Sequence, residues 1–238
     1  MVFCMRLFAL IPPLTHVGFP LTLIKAYKFV LHTLFMKFYL SSSRLGNSVA
    51  KLRRMMSENK KTGLILNALD CTNIDQRKVK EKIKALNLAG LEPEILDLKM
   101  YFGKQKELEK RLAGLGAVWV NGGNAFVLRQ AMKLSGFDKI FNKLLRRKDF
   151  LYGGYSAGIC VLAKDLHGLE IMDDPKQRPY GKKCKVIWEG LGFLDYMILP
   201  HYKSEHPESK LVTKTVQYFI DNKLLFRALR DGEVIIIE

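Results

Sequence analysis

The sequence predicts an α/β fold, a doubly wound, mostly parallel sheet flanked by helices. Two patterns predict it. From Lys37 onward, short β-rich runs alternate with helical stretches of about ten residues or more, long enough to bring each strand back parallel to the last. The runs are also apolar almost throughout, as in Ala117-Val118-Trp119-Val120, and strands covered on both faces read that way. Composition agrees with a packed globular chain. Of 238 residues 48% are hydrophobic and 26% charged, which excludes a collagen-like or wholly disordered protein.

The elements follow in order. Residues 37–41 form the first strand, and 45–56 a helix with Leu45, Val49, Leu52 and Met56 on one face. A second strand covers 62–66. A helix over 75–88 then turns Val79, Ile83 and Leu86 inward. Residues 94–98 are the third strand, and 104–115 a charged amphipathic helix that stops at Gly116. After the fourth strand at 117–120, two helices fill 125–147. The fifth strand, 150–154, runs straight into a helix over 156–164. Residues 196–199 form a late strand and 207–222 a helix. The runs 226–229 and 233–237 make a closing pair, with Asp231-Gly232 as a hairpin turn signal between them. No linker interrupts residues 36–238, so one domain is expected there.

Residues 1–35 read differently. They hold no acidic residue, and Arg6 precedes an apolar run broken by Pro12, Pro13 and Pro20. The run is short for a spanning helix, which needs about 20 residues. Met36 opens the first strand and is a plausible start. The segment is therefore expected to be an over-long gene start or a disordered extension, with membrane association as the alternative.

The charge balance is 39 basic against 23 acidic residues, a net of +16. Basic clusters lie at 143–148 and 182–185, but neither is interleaved with aromatic residues as in a single-strand binding platform. No nucleic-acid partner is expected. Cys4, Cys71, Cys160 and Cys184 are widely spaced and make no Cys-x-x-Cys pair. That argues against a disulfide framework or structural zinc, and for a reducing, cytoplasmic setting.

Chemistry in an open α/β sheet gathers at the C-terminal ends of the strands. The fifth strand ends in Gly154-Tyr155-Ser156-Ala157-Gly158, a G-x-S-x-G pattern between strand and helix. Such a turn pushes the serine hydroxyl out of the sheet and sets the following amides at a helix N-terminus, where negative charge is stabilised. The fourth strand ends in Asn121-Gly122-Gly123-Asn124. Its adjacent glycines let backbone N–H groups approach a substrate, and Asn124 can also cap the next helix. A serine nucleophile needs a base. His201, just past the strand at 196–199, is at the right sheet edge, whereas His167 lies in a polar loop and His206 reads as solvated. Asp231 sits where a third, orienting carboxylate could lie, and it also fits an ordinary Asp-Gly turn.

These residues resemble the aspartyl dipeptidase (peptidase E) and cyanophycinase family of serine peptidases. The resemblance runs from Met36 to the C-terminus. It rests on Tyr39-Leu40-Ser41-Ser42-Ser43, Asn121-Gly122-Gly123-Asn124-Ala125-Phe126, Tyr155-Ser156-Ala157-Gly158, Met172-Asp173-Asp174-Pro175, Pro200-His201-Tyr202 and Asp231-Gly232. The order Ser, His, acid differs from the Ser, acid, His order of α/β-hydrolases. The resemblance implies a fold like that of class I glutamine amidotransferases, with no cofactor and no metal. It implies Ser156 as nucleophile, His201 as base and Asp231 in place of the family's Glu, with the Gly123 and Ala157 amides as oxyanion donors. Asn124, Asp173 or Asp174, and Lys210 fall at positions implied to meet substrate. Lys210 replaces an arginine, and a lysine lacks the bidentate fork that an acidic side chain would meet there. The implied substrate is a small peptide, with N-terminal Asp one option, and the implied assembly is a monomer or homodimer. A cyanophycinase-like hydrolase or a non-catalytic binding module keeping the fold are the alternatives.

Overall fold

In the computed structural model the described residues are 36–181 and 185–238; the extension expected over 1–35 lies outside them, as do Lys182, Lys183 and Cys184. The chain runs β1 (Lys37–Ser41), α1 (Val49–Met55), β2 (Lys61–Ile65), α2 (Gln76–Leu88), β3 (Glu92–Ile95), α3 (Gln105–Ala113) and β4 (Ala117–Val120). It continues through α4 (Ala125–Ser135), α5 (Phe137–Leu144), β5 (Leu151–Tyr155), the short α6 (Ala157–Cys160), β6 (Met197–Leu199), α7 (Ser209–Asp221), β7 (Phe226–Ala228) and β8 (Val234–Ile237).

Six strands form the main sheet in the order β3-β2-β4-β5-β1-β8. The first five are parallel and β8 closes the edge antiparallel to β1. Alternation along each strand feeds two apolar layers. Phe38, Leu40, Val118, Val120 and Tyr152 face one core with Phe126 and Phe141, while Tyr39, Ala117, Trp119 and Leu151 face the other with Leu52 and Leu64. The doubly wound, mostly parallel sheet is thus as expected. Capping explains several boundaries. The Asp75 carboxylate accepts from Arg77 N–H and starts α2, and the Asn124 side chain accepts from Phe126 and Val127 N–H and starts α4.

Other boundaries differ from the sequence expectation. Residues 45–48 are not helical, so α1 begins at Val49. β3 lies at Glu92–Ile95 rather than 94–98, because the Asp97 side chain accepts from Lys99 N–H and starts a 3-10 turn at Leu98. The helix expected over 156–164 stops at Cys160. Beyond it the Val161, Leu162 and Ala163 carbonyls accept backbone hydrogen bonds from residues 191–194, and the helical ladder cannot continue. The closing pair is not a hairpin. β7 pairs in parallel with β6 in a separate two-stranded sheet, and β8 joins β1. Among the described residues no helix is long and apolar enough to cross a membrane.

Candidate active site

Ser156 stands between β5 and α6 with φ +52° and ψ −124°, a conformation that costs a non-glycine residue free energy. The surroundings hold it there. At Gly158 a Cβ would lie 2.3 Å from the Val120 carbonyl oxygen, so only glycine lets α6 cross β4 this closely. Gly123 has φ +142°, and a Cβ there would meet the Ala68 carbonyl oxygen at 2.5 Å. Asn124 N–H donates to that same oxygen at 2.9 Å and fixes the loop. Among the described residues neither Gly123 N–H nor Ala157 N–H donates to a protein acceptor, which leaves both amides for an incoming oxygen.

His201 and Asp231 arrive by a route that the sequence does not announce. β6 and β7 lie side by side and parallel, Met197 opposite Phe226 and Leu199 opposite Ala228. Their pairing continues through Leu229 N–H to the Leu199 carbonyl and Tyr202 N–H to the Leu229 carbonyl. Both chains therefore leave the small sheet at the same end, and His201 Nδ1 meets Asp231 Oδ1 at 2.6 Å. The two-stranded sheet, not the main one, carries the imidazole, and the Asp-Gly pair serves as a carboxylate site instead of a hairpin turn. Ser42, at the end of β1, ties the arrangement to the main sheet. Its hydroxyl accepts from His201 N–H at 2.9 Å and lies 3.1 Å from Asp231 Oδ1. The Asp231 amide in turn donates to Ser204 Oγ at 2.7 Å.

His201 is buried and has φ +62°. Burial holds its imidazole below the ordinary histidine range, against the opposing hydrogen bond to Asp231 and with the adjacent His206 adding to the depression. The ring is thus neutral at pH 7, with the Asp231 contact placing the proton on Nδ1 and leaving Nε2 free as a base.

Ser156, His201, Asp231 and Gly123 line one cleft of about 660 Å³. The Ser156 hydroxyl makes no direct hydrogen bond to His201 among the described contacts, a separation common before substrate arrives. The residues expected to meet substrate lie elsewhere. The Asp173 carboxylate accepts from Ala125 N–H at 2.8 Å at the base of α4, where burial pushes its pKa up to about 7. Asp174 accepts from the Asn124 side chain through its carbonyl and from Lys176 N–H through its carboxylate. Lys210 is exposed on the first turn of α7, and none of Asn124, Asp173, Asp174 and Lys210 lines the cleft.

Sequence reasoning missed others. Arg44, Lys78 and Lys82 reach the cleft, and Lys82 Nζ donates to Tyr155 Oη at 2.8 Å while Tyr155 Oη donates to Asn121 Oδ1 at 2.6 Å. The i, i+4 spacing of Lys78 and Lys82 was the one available signal, and it is shared by many solvated helix faces. His206, read as solvated, stacks on His201 with ring centroids 3.7 Å apart and lines the cleft with Glu208.

Comparison with known proteins places this fold. The structure matches a crystal structure of a candidate peptidase E from Listeria monocytogenes with a TM-score of 0.69 and 25% identity, covering 85% of this chain and 94% of that one. It matches the fold of a peptidase from an acI-B1 Actinobacterium with a TM-score of 0.60 and 13% identity, covering 88% of this chain and 86% of that one. An uncharacterized peptidase of Listeria monocytogenes is 29% identical over 145 residues, which span 60% of this chain and 66% of that protein. One of Listeria innocua is 33% identical over 100 residues, which span 42% of this chain and 44% of that protein. The sequence profile of peptidase family S51 matches residues 42–238, from the serine that braces His201 to the last strand; the chain belongs to peptidase family S51.

Proposed function

We propose that the protein is a serine peptidase that hydrolyses short peptides in the manner of a dipeptidase, with Ser156, His201 and Asp231 as its triad. The observation that carries this reading is the 2.6 Å contact of His201 Nδ1 with Asp231 in the cleft that also holds the strained Ser156. In the proposed reaction His201 Nε2 takes the Ser156 proton as Oγ attacks the scissile carbonyl carbon. The Gly123 and Ala157 amides stabilise the tetrahedral oxyanion, and His201 then protonates the leaving amine. Water, deprotonated by the same imidazole, releases the acyl group from Ser156. A preference for an acidic N-terminal residue draws support from Arg44, Lys78 and Lys82, which line the cleft where Lys210 does not, although Asp75, Glu205 and Glu208 line it too.

The test is hydrolysis of Asp-Leu, Glu-Leu, Leu-Leu and β-Asp-Arg by the full chain, with Ser156→Ala beside it. Serine-dependent cleavage is expected, and loss of the hydroxyl should lower turnover by about three orders of magnitude or more with the fold intact. Wild-type activity in Ser156→Ala would sink the proposal. A serine-directed phosphonate that fails to label a folded chain would point to a binding module.

A further inference from the structure

His201 and His206 stack face to face at 3.7 Å with their planes 10° apart, and Glu208 lies beside them. The candidate ligand atoms of these three residues all fall within 4.8 Å of one another. Stacking alone would make His206 a cover over the imidazole, but the hydrogen bonds show more. His201 Nδ1 is taken by Asp231 at 2.6 Å, and His206 Nδ1 accepts from Glu208 N–H at 3.3 Å. His201 is thereby left with Nε2 as its open lone pair, whereas His206 carries its proton on Nε2 and offers that atom to a cation only by moving the proton to Nδ1 and giving up the 3.3 Å contact. A carboxylate behind the imidazole, as Asp231 stands behind His201, is the outer contact that sets ring orientation and tautomer in histidine metal sites. Among the described residues no Lys or Arg pairs with Glu208, whose carboxylate lies 3.9 Å from His206 Nδ1.

We propose that His201, His206 and Glu208 form a chelating site for a divalent transition cation of the zinc class, and that the bound cation switches the peptidase off by occupying His201 Nε2. The inhibitory half rests on His201 being the base; the binding half does not. Two imidazoles and one carboxylate are a donor set that suits zinc, at about 2.0–2.2 Å from each ligand atom, with a fourth position open to water. In the stack the two rings lie nearly parallel, so convergence of both on one ion requires the His206 ring to swing out of the stack. Its side chain is 32% exposed and has room to do so, whereas His201 is pinned by Asp231 and Ser42. With the metal on Nε2, the lone pair that would take the Ser156 proton is occupied.

The full chain, freed of metal with a chelator, is titrated with cobalt(II) and followed by visible absorption, then with zinc in competition. Wild type and Ser156→Ala should each bind one equivalent through this site. His206→Ala and Glu208→Gln should weaken that binding about tenfold or more. Titrations that look the same with and without His206, or no band below millimolar cobalt, would overturn the proposal. Zinc should also inhibit Asp-Leu hydrolysis by wild type at concentrations about tenfold or more below those that inhibit His206→Ala, each referred to its own metal-free rate. Metal held at the site while hydrolysis continues unchanged would overturn the switch. Metal binding that depends on His206, in a chain that cleaves no peptide, would keep the site and sink the peptidase reading instead.

Discussion

Ser42 is fully buried and touches both members of the His201–Asp231 pair. Its hydroxyl accepts from the His201 amide and can donate to Asp231 Oδ1 at 3.1 Å or to the Leu229 carbonyl at 3.3 Å. Removing it would orphan a buried N–H, which costs about 1–3 kcal/mol, and would free His201 from the end of β1. Ser42→Ala is therefore expected to lower kcat about 10- to 100-fold with KM little changed, while Ser42→Thr keeps the oxygen and most of the rate. Steady-state kinetics on a dipeptide that wild type cleaves checks this. An equal rise in KM with kcat preserved would mean that Ser42 acts on binding instead. As a residue Ser42 was visible in the sequence only as part of a serine run, because a hydroxyl that links three loops leaves no periodic trace.

At the scale of elements, strands with buried runs were legible and those whose partners are distant were not. β1 and β4 lie where expected, since a continuous apolar run of four or five residues has few other uses. β6 and β7 have three residues each, and no local pattern says that they pair with each other in parallel rather than join the main sheet. The Gly-x-Ser-x-Gly turn was legible because its glycines are demanded by contacts with Val120, and that demand is written in the sequence. The two sheets are coupled through α6, where the Cys160 thiol donates to the Ile198 carbonyl at 3.3 Å, and burial holds that thiol protonated. Ile198 itself is fully buried. Ile198→Ala is expected to destabilise the protein by about 2–5 kcal/mol through the cavity it leaves, and to depress turnover further by loosening the strand that presents His201. Denaturant unfolding gives the first number and kcat, measured where the variant is folded, gives the second. A change below about 0.5 kcal/mol would show that β6 is held mainly by its backbone pairing.

For the whole molecule, charge is the property that reaches furthest. The chain carries a formal net of +16, and Arg44, Lys78 and Lys82 line the cleft beside the carboxylates of Asp75, Glu205, Glu208 and Asp231, so the positive field comes from the molecule as a whole. A field of that sign raises the encounter rate of anionic substrates and is screened as salt rises. Between about 0.05 and 0.5 M salt, where the Debye length falls below about 10 Å, kcat/KM for Asp-Leu should drop several-fold and that for Leu-Leu hardly at all. Equal salt dependence for the two peptides would remove the cleft cations from substrate selection.

The proposed nucleophile rides on one sheet and its proposed partners on another. Ser156 leaves β5 of the six-stranded sheet, whereas His201 and Asp231 leave the β6–β7 pair. Catalytic alignment is then a matter of how two separately built parts are docked, as in a lock whose bolt and keeper hang on different frames. Substitutions buried between the frames, far from any reacting atom, can retune the rate while every active-site residue stays the same. A lineage could in this way lose, regain or slow its chemistry without touching the motif by which the enzyme is recognised.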